Sequence, residues 1–145
     1  ALCQHILDPV IDYFGRERFQ LTYGFCSKDL KRFLSQKDPE TGLKNGRVDP
    51  SRDQHMAHEM NRNRRYYCDR LGAACDFQIV ELESGRLVDW LLEQRLPFDS
   101  LYFYGSERPI HVSYGRQHKR EIWAFTANGT PTQKGLGQWH AIVSS

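Results

Sequence analysis

Three short runs in the second half of the chain constrain its fold more than any other feature. Residues 100–104, 110–114 and 121–126 are dense in β-branched and aromatic side chains, and turns containing Gly105 and Gly115 join them. Runs of that composition form half-buried strands, and short turns make neighbours of them, so the pattern predicts an antiparallel meander. Residues 18–25 alternate in the same way and predict an earlier strand, and residues 73–80 predict a buried one.

Before and between these runs the apolar period lengthens. Residues 2–14 place Leu2, Ile6, Leu7, Val10, Ile11 and Phe14 on one helical face. Pro9 falls inside that pattern, where it either kinks the helix or marks where the helix proper starts. Ser27 caps a second helix running to about Gln36, with Leu30, Phe33 and Leu34 directed inward. A third opens at Ser84 or Gly85, carries Leu87, Val88, Trp90, Leu91 and Leu92, and stops before Pro97. Residues 37–53, with two prolines, two glycines and many charges, predict a long loop of the kind that often carries function. The turn-rich tail brings Trp139 and Ile142 back onto the body. Early helices and late strands imply an α+β fold, an antiparallel sheet with helices packed mainly on one face.

With 145 residues, residues 1–145 read as a single domain able to bury one core. Hydrophobic residues at 39% and charged residues at 26% exclude a disordered chain. The absence of any run of about 18 apolar residues excludes a membrane-spanning helix and hence membrane insertion by that route. The N-terminal residues show no basic segment followed by an apolar stretch, so a cytoplasmic location is expected. A net charge of +2 is too even to imply nucleic-acid binding by itself, although Arg62, Arg64 and Arg65 form one basic group and Arg116, His118, Lys119 and Arg120 another. Cys3, Cys26, Cys68 and Cys75 lack the paired spacing of a structural zinc site and are too few for a disulfide framework, which implies reduced thiols.

Hydrolytic zinc sites need three protein ligands, an open position for water and a base to take the water's proton. Three segments supply suitable side chains: Asp53-Gln54-His55, Gly72-Ala73-Ala74-Cys75-Asp76-Phe77 and Ile110-His111-Val112-Ser113-Tyr114. In their order, and in the Gly72-x-Ala74-x-Asp76 pattern above all, they resemble the zinc D-alanyl-D-alanine carboxypeptidase family. That family includes cell-wall endopeptidases of phage and shares its fold with the signalling domain of hedgehog. The resemblance covers roughly residues 1–126. It implies a hedgehog-like α+β fold, Zn2+ as cofactor, a peptide or cell-wall-like small substrate, and hydrolysis of a peptide bond.

By the same resemblance Asp76 and His111 are two zinc ligands. For the third, His55 within Gln54-His55 ranks first, followed by His58 and Asp69. The family spaces its histidine where Asp69 stands here, and His55 lies 14 positions upstream. A basic helical insert at about 56–70 accounts for the displacement, since such a length is about four helical turns and can bulge outward. The family's general base is a carboxylate three residues before the strand histidine. Here that position holds Arg108, with Glu107 one residue further away, so Glu107 is the candidate base and Arg108 the candidate stabiliser of charge on the carbonyl oxygen. Cys26, Ser27, Ser113 and Tyr114 fall at substrate-binding positions. Cys26 replaces an arginine that the family uses to hold a substrate carboxylate, and a thiol cannot make that bidentate contact. A second function class therefore stands beside the hydrolase: a binding module, or a nucleic-acid- or nucleotide-processing relative, engaging nucleic acid through Arg62, Arg64 and Arg65 with Tyr66 and Tyr67 as stacking partners.

Overall fold

The computed structural model describes residues 1–24, 28–45, 55, 60, 62–65, 72–125, 131–134 and 139. The N-terminal pattern folds as a π-helical turn at Cys3–Leu7 that runs into α1, Asp8–Phe14. Pro9 sits in the first turn of α1, directly after the π-helical turn, so it marks the start of the regular helix. Strand β1 is Phe19–Tyr23 and helix α2 is Lys28–Ser35. On α2, Leu30 and Leu34 are half-buried, whereas Phe33, expected to face inward, is exposed. The described part of the expected long loop is a compact turn in which Asp38 Oδ1 accepts the N–H groups of Glu40 and Thr41 at 2.7 and 3.0 Å. Those contacts hold the Asp38 carboxyl below its usual range.

Strand β2, Gly72–Ile79, leads into α3, Ser84–Glu93, followed by β3, Ser100–Phe103, β4, Ile110–Gly115, β5, Glu121–Phe125, and β6, Pro131–Lys134. Among the described residues they form a six-stranded sheet in the order β1-β2-β4-β3-β5-β6. The expected meander holds for β3 and β4, which pair antiparallel, but not for β5. Strand β5 crosses to the far side of β3 and runs parallel to it, with Leu101 beside Ile122 and Tyr102 beside Trp123. The sheet is therefore mixed rather than antiparallel throughout. Alternation in a short run reveals that a strand is half-buried but not which strand it lies beside, which is why the crossing escapes the sequence pattern.

One apolar core unites the chain from Leu2 to Trp139. Ile6 and Val10 from the N-terminal helix and Leu87, Val88 and Leu91 from α3 meet Phe77, Leu101, Ile110, Val112 and Ile122 of the sheet, all essentially inaccessible to solvent. Trp139 closes this core: its ring lies 4.7 Å from Phe103 and its Nε1–H donates to Asp89 at 2.8 Å. The docking expected for Ile142 falls outside the described residues. So does most of the expected basic insert, of which Arg62, Arg64 and Arg65 are exposed. Among the described residues no helix is long and apolar enough to cross a membrane, and Cys3 and Cys75 are free thiols.

Candidate metal centre

Successive side chains on a strand point to opposite faces, so the helix-facing set Cys75, Phe77 and Ile79 leaves Ala74, Asp76 and Gln78 on the other side of β2. Asp76 lies directly opposite His111 in the β2–β4 ladder, and Tyr102 lies opposite His111 in the β3–β4 ladder. Directly opposed residues share a face, so carboxylate, imidazole and phenol stand in a row on the sheet surface that the core helices do not cover.

His55 approaches that row from the segment between α2 and β2. Its Nε2 is 3.1 Å from Asp76 Oδ1, and Nδ1 of His111 is 2.9 Å from the same oxygen. Both histidine side chains are almost fully buried, at 4% and 6% exposure, while Asp76 retains 23% and is the member that faces solvent. Burial is the largest influence on the Asp76 carboxyl and by itself would raise it. The hydrogen bonds from His111 and His55, reinforced by the histidines' charge, together outweigh burial and bring the group down to about 2. An ionised carboxylate only accepts, so both imidazole nitrogens facing it carry protons.

Tyrosines flank both histidines. Tyr102 stacks on His111 with ring centroids 4.4 Å apart and planes within 18°. Tyr23 meets His55 edge-on at 4.5 Å. Tyr23 reaches this face because β1 is irregular between Leu21 and Tyr23: Leu21 pairs with Phe77, but Tyr23, two residues on, pairs with Asp76. The extra residue of a bulge shifts the alternation and re-aims the side chain that follows it.

The nitrogen and oxygen donors of His55, Asp76 and His111 all lie within 4.8 Å of one another, and the group can hold a metal ion. Zinc–ligand bonds near 2.0–2.2 Å arranged tetrahedrally imply donor separations of roughly 3.3 Å. The two histidine–Asp76 separations, 2.9 and 3.1 Å, would open by a few tenths of an ångström around an ion, and the separation between the two imidazole donors lies within 4.8 Å. Binding would displace the proton from each facing nitrogen, so uptake is coupled to pH. A cleft of about 360 Å³ lined by Pro9, Tyr13, Trp90 and Leu96 opens at α1 and α3, on the helical side of the sheet, and does not belong to this group.

Of the residues singled out in the sequence, the structure thus brings together His55, Asp76 and His111. His58, Asp69, Cys26 and Ser27 lie outside the described residues. Glu107 and Arg108 are exposed in the β3–β4 turn, and Glu107 is not part of the group of converging donors. That turn is tied to the start of α3: Ser84 N–H donates to the Ser106 carbonyl at 2.9 Å, the Ser106 hydroxyl to Glu83 at 2.9 Å, and the Ser84 hydroxyl to the Arg108 carbonyl.

Two expected substrate contacts require correction. Ser113 shares the face of His111 but is fully buried, its hydroxyl 2.6 Å from that of Ser100, so it secures the sheet instead of presenting a substrate surface. Tyr114 lies on the opposite face, packed against the core and stacked on His5 at 5.1 Å, because one residue's advance along a strand reverses the direction of the side chain. Tyr102 and Tyr23 were not singled out from sequence. The period-2 position of Tyr102 on the run at residues 100–104 is a signal that could have placed it, whereas no local pattern announces the irregularity that turns Tyr23. No family model, curated protein or solved structure matches this chain.

Proposed function

We propose that the chain is a zinc-dependent hydrolase that cleaves an amide bond, with a peptide of the cell-wall stem type as its substrate class. The observation that carries this reading is the convergence of His55, Asp76 and His111 from three separate segments, the same segments that resemble the zinc D-alanyl-D-alanine carboxypeptidases. When bound there, zinc would activate water and polarise the scissile carbonyl. Asp76 would supply the negative charge of the ligand set, and its low pKa, about 2, keeps the carboxylate ionised near neutrality. His55 and His111, buried beside it, would supply two imidazole donors, and their burial would keep water from that side of the site. By the resemblance, Glu107 would be the base for the water's proton and Arg108 the cation that offsets charge on the carbonyl oxygen, both from the turn that leads into the His111 strand.

The test is hydrolysis of an N-acylated peptide ending in D-Ala-D-Ala, alongside an internally cross-linked stem peptide, by the zinc-loaded chain. Turnover that is chelator-sensitive and lost in His111→Ala supports the proposal, and Glu107→Gln should then retain zinc but lose turnover. A zinc-loaded protein that cleaves neither substrate, nor any member of a general peptide pool, would refute it.

A second reading rests on the exposed arginines at positions 62, 64 and 65. Such a group suits phosphate contacts, and it makes the chain a nucleic-acid-binding relative of the same family. A gel shift that weakens steeply with salt and disappears in the triple Arg→Ala variant supports this second reading, and no shift at low ionic strength removes it.

A further inference from the structure

An imidazole that uses Nδ1 as its donor is sensitive to which way its ring lies. A half-turn about Cβ–Cγ puts a carbon where that nitrogen was, and the torsion concerned is broad and roughly two-fold, so the strand backbone alone does not choose between the two orientations. His111 faces Asp76 through Nδ1 at 2.9 Å, so its usefulness to the site depends on that choice.

Tyr102 stands in the path of the alternative. It is the cross-strand partner of His111, and its ring lies nearly parallel to the imidazole at 4.4 Å and 18°. To turn over, the His111 ring must pass through an orientation perpendicular to its resting plane, and a parallel ring at contact distance fills the volume this would need. Tyr102 is itself confined by Phe125 at 5.5 Å and 57°, whereas Tyr104 meets it only edge-on at 6.5 Å. Its cross-strand neighbours are therefore a metal-site imidazole on β4 and an aromatic cluster reaching to β5.

We infer that Tyr102 is a positioning residue that locks the His111 ring with Nδ1 directed at Asp76. Its effect on metal affinity rests on the metal-site reading given above, whereas its effect on the ring orientation does not. The stack acts through the flat face of the side chain, so the phenol hydroxyl is dispensable to the lock and the ring is not. Tyr104, which touches Tyr102 but has no ring contact with His111 among those observed, serves as the control.

The experiment uses the full chain with zinc alone as the probe. Zinc affinity is measured by competition with a chromophoric chelator, and the His111 ring orientation and tautomer by long-range proton–nitrogen correlation and ring-proton NOEs in the metal-free protein. Tyr102→Ala should weaken zinc binding on the order of 10- to 100-fold, the range seen when groups that orient metal ligands are removed, and should let the His111 ring sample both orientations. Tyr102→Phe and Tyr104→Ala should leave both readouts as in the parent. Tyr102→Leu retains bulk without a flat ring and is predicted to behave like the alanine variant, so it answers the question should the alanine variant fail to fold.

Parent-like affinity with a single ring orientation in Tyr102→Ala or Tyr102→Leu would overturn the inference, as would a Tyr102→Phe variant as impaired as Tyr102→Ala. Failure of the metal reading looks different: His55→Ala and Asp76→Ala would bind zinc as the parent does, and the metal-free NMR measurement would still decide the role of Tyr102.

Discussion

The two faces of the sheet are built from alternate residues of the same strands, yet they differ in almost every physical respect. The helix-covered face of β2 and β4 presents Cys75, Phe77, Ile79, Ile110 and Val112, packed without polar partners against α1 and α3. The other face presents Asp76, His111, Ser113 and, from β3, Tyr102, which make the Asp76–His111 and Ser113–Ser100 hydrogen bonds and the Tyr102–His111 ring stack. One side thus holds the fold through apolar burial, and the other arranges donors at defined separations on the scaffold so provided. A strand lets both be served at once because a substitution at one position leaves its neighbours' faces undisturbed.

The most severe way to break this comparison is to remove apolar volume from the helical face. Phe77 is fully buried and lies 5.1 Å from the Phe19 ring, so Phe77→Ala should destabilise the protein by about 3–5 kcal/mol in urea unfolding while the folded fraction still binds metal. His111→Ala should show the converse, losing metal with a smaller loss of stability. Equal destabilisation by the two would erase the distinction between the faces.

On the site face, Asp76→Asn should come next. The carboxyl is depressed from 3.8 to about 2 in the folded chain, which corresponds to about 2 kcal/mol of stability. Because the folded value lies below the unfolded one, that contribution is complete above the unfolded pKa and disappears as pH falls through the folded one. The stability gap between the parent and Asp76→Asn should accordingly narrow as the pH falls below about 4 and close near pH 2. A gap that widened on acidification would show that the histidines do not stabilise the carboxylate.

Ser113→Ala sharpens the comparison from within the site face. Loss of its hydrogen bond to Ser100 should cost about 1 kcal/mol in unfolding experiments and leave metal binding untouched, separating the buried part of that face from its functional part. The smallest effect concerns reactivity alone. Burial, aided by the Asp76 charge and by Cys3, pushes the Cys75 thiol up to about 12, whereas Cys3 is exposed. Mass-spectrometric mapping after brief alkylation at pH 8 should find Cys3 modified and Cys75 modified only after unfolding.

What could be read in advance follows the same division. The helical face was legible because its signal is periodic: Leu87, Val88, Leu91 and Leu92 repeat at helical spacing, and Cys75, Phe77 and Ile79 recur at strand spacing. Strand order was not, since the placement of β5 beside β3 depends on a connection that leaves no mark on the alternation within either strand. Phe33 was misplaced because an apolar side chain at a helical period is usually inward, yet the surface also carries such residues. At the site, Asp76 and His111 could be paired through resemblance, and their shared face then followed from the ladder. The strand period that placed them also placed Tyr114 on the far side. The arrival of His55 from 21 residues upstream of Asp76 is a tertiary event with no local code, and so is the bulge that turns Tyr23 onto His55.

The claim beneath all of this is that His55, Asp76 and His111 together grip one divalent ion. Zinc titration of the metal-free chain by calorimetry, repeated on the variant with all three residues changed to alanine and checked for folding by circular dichroism, addresses it most directly. The account predicts one high-affinity equivalent in the parent and none in the triple variant. An unchanged stoichiometry and affinity in a folded triple variant, or no binding by the parent, would contradict it.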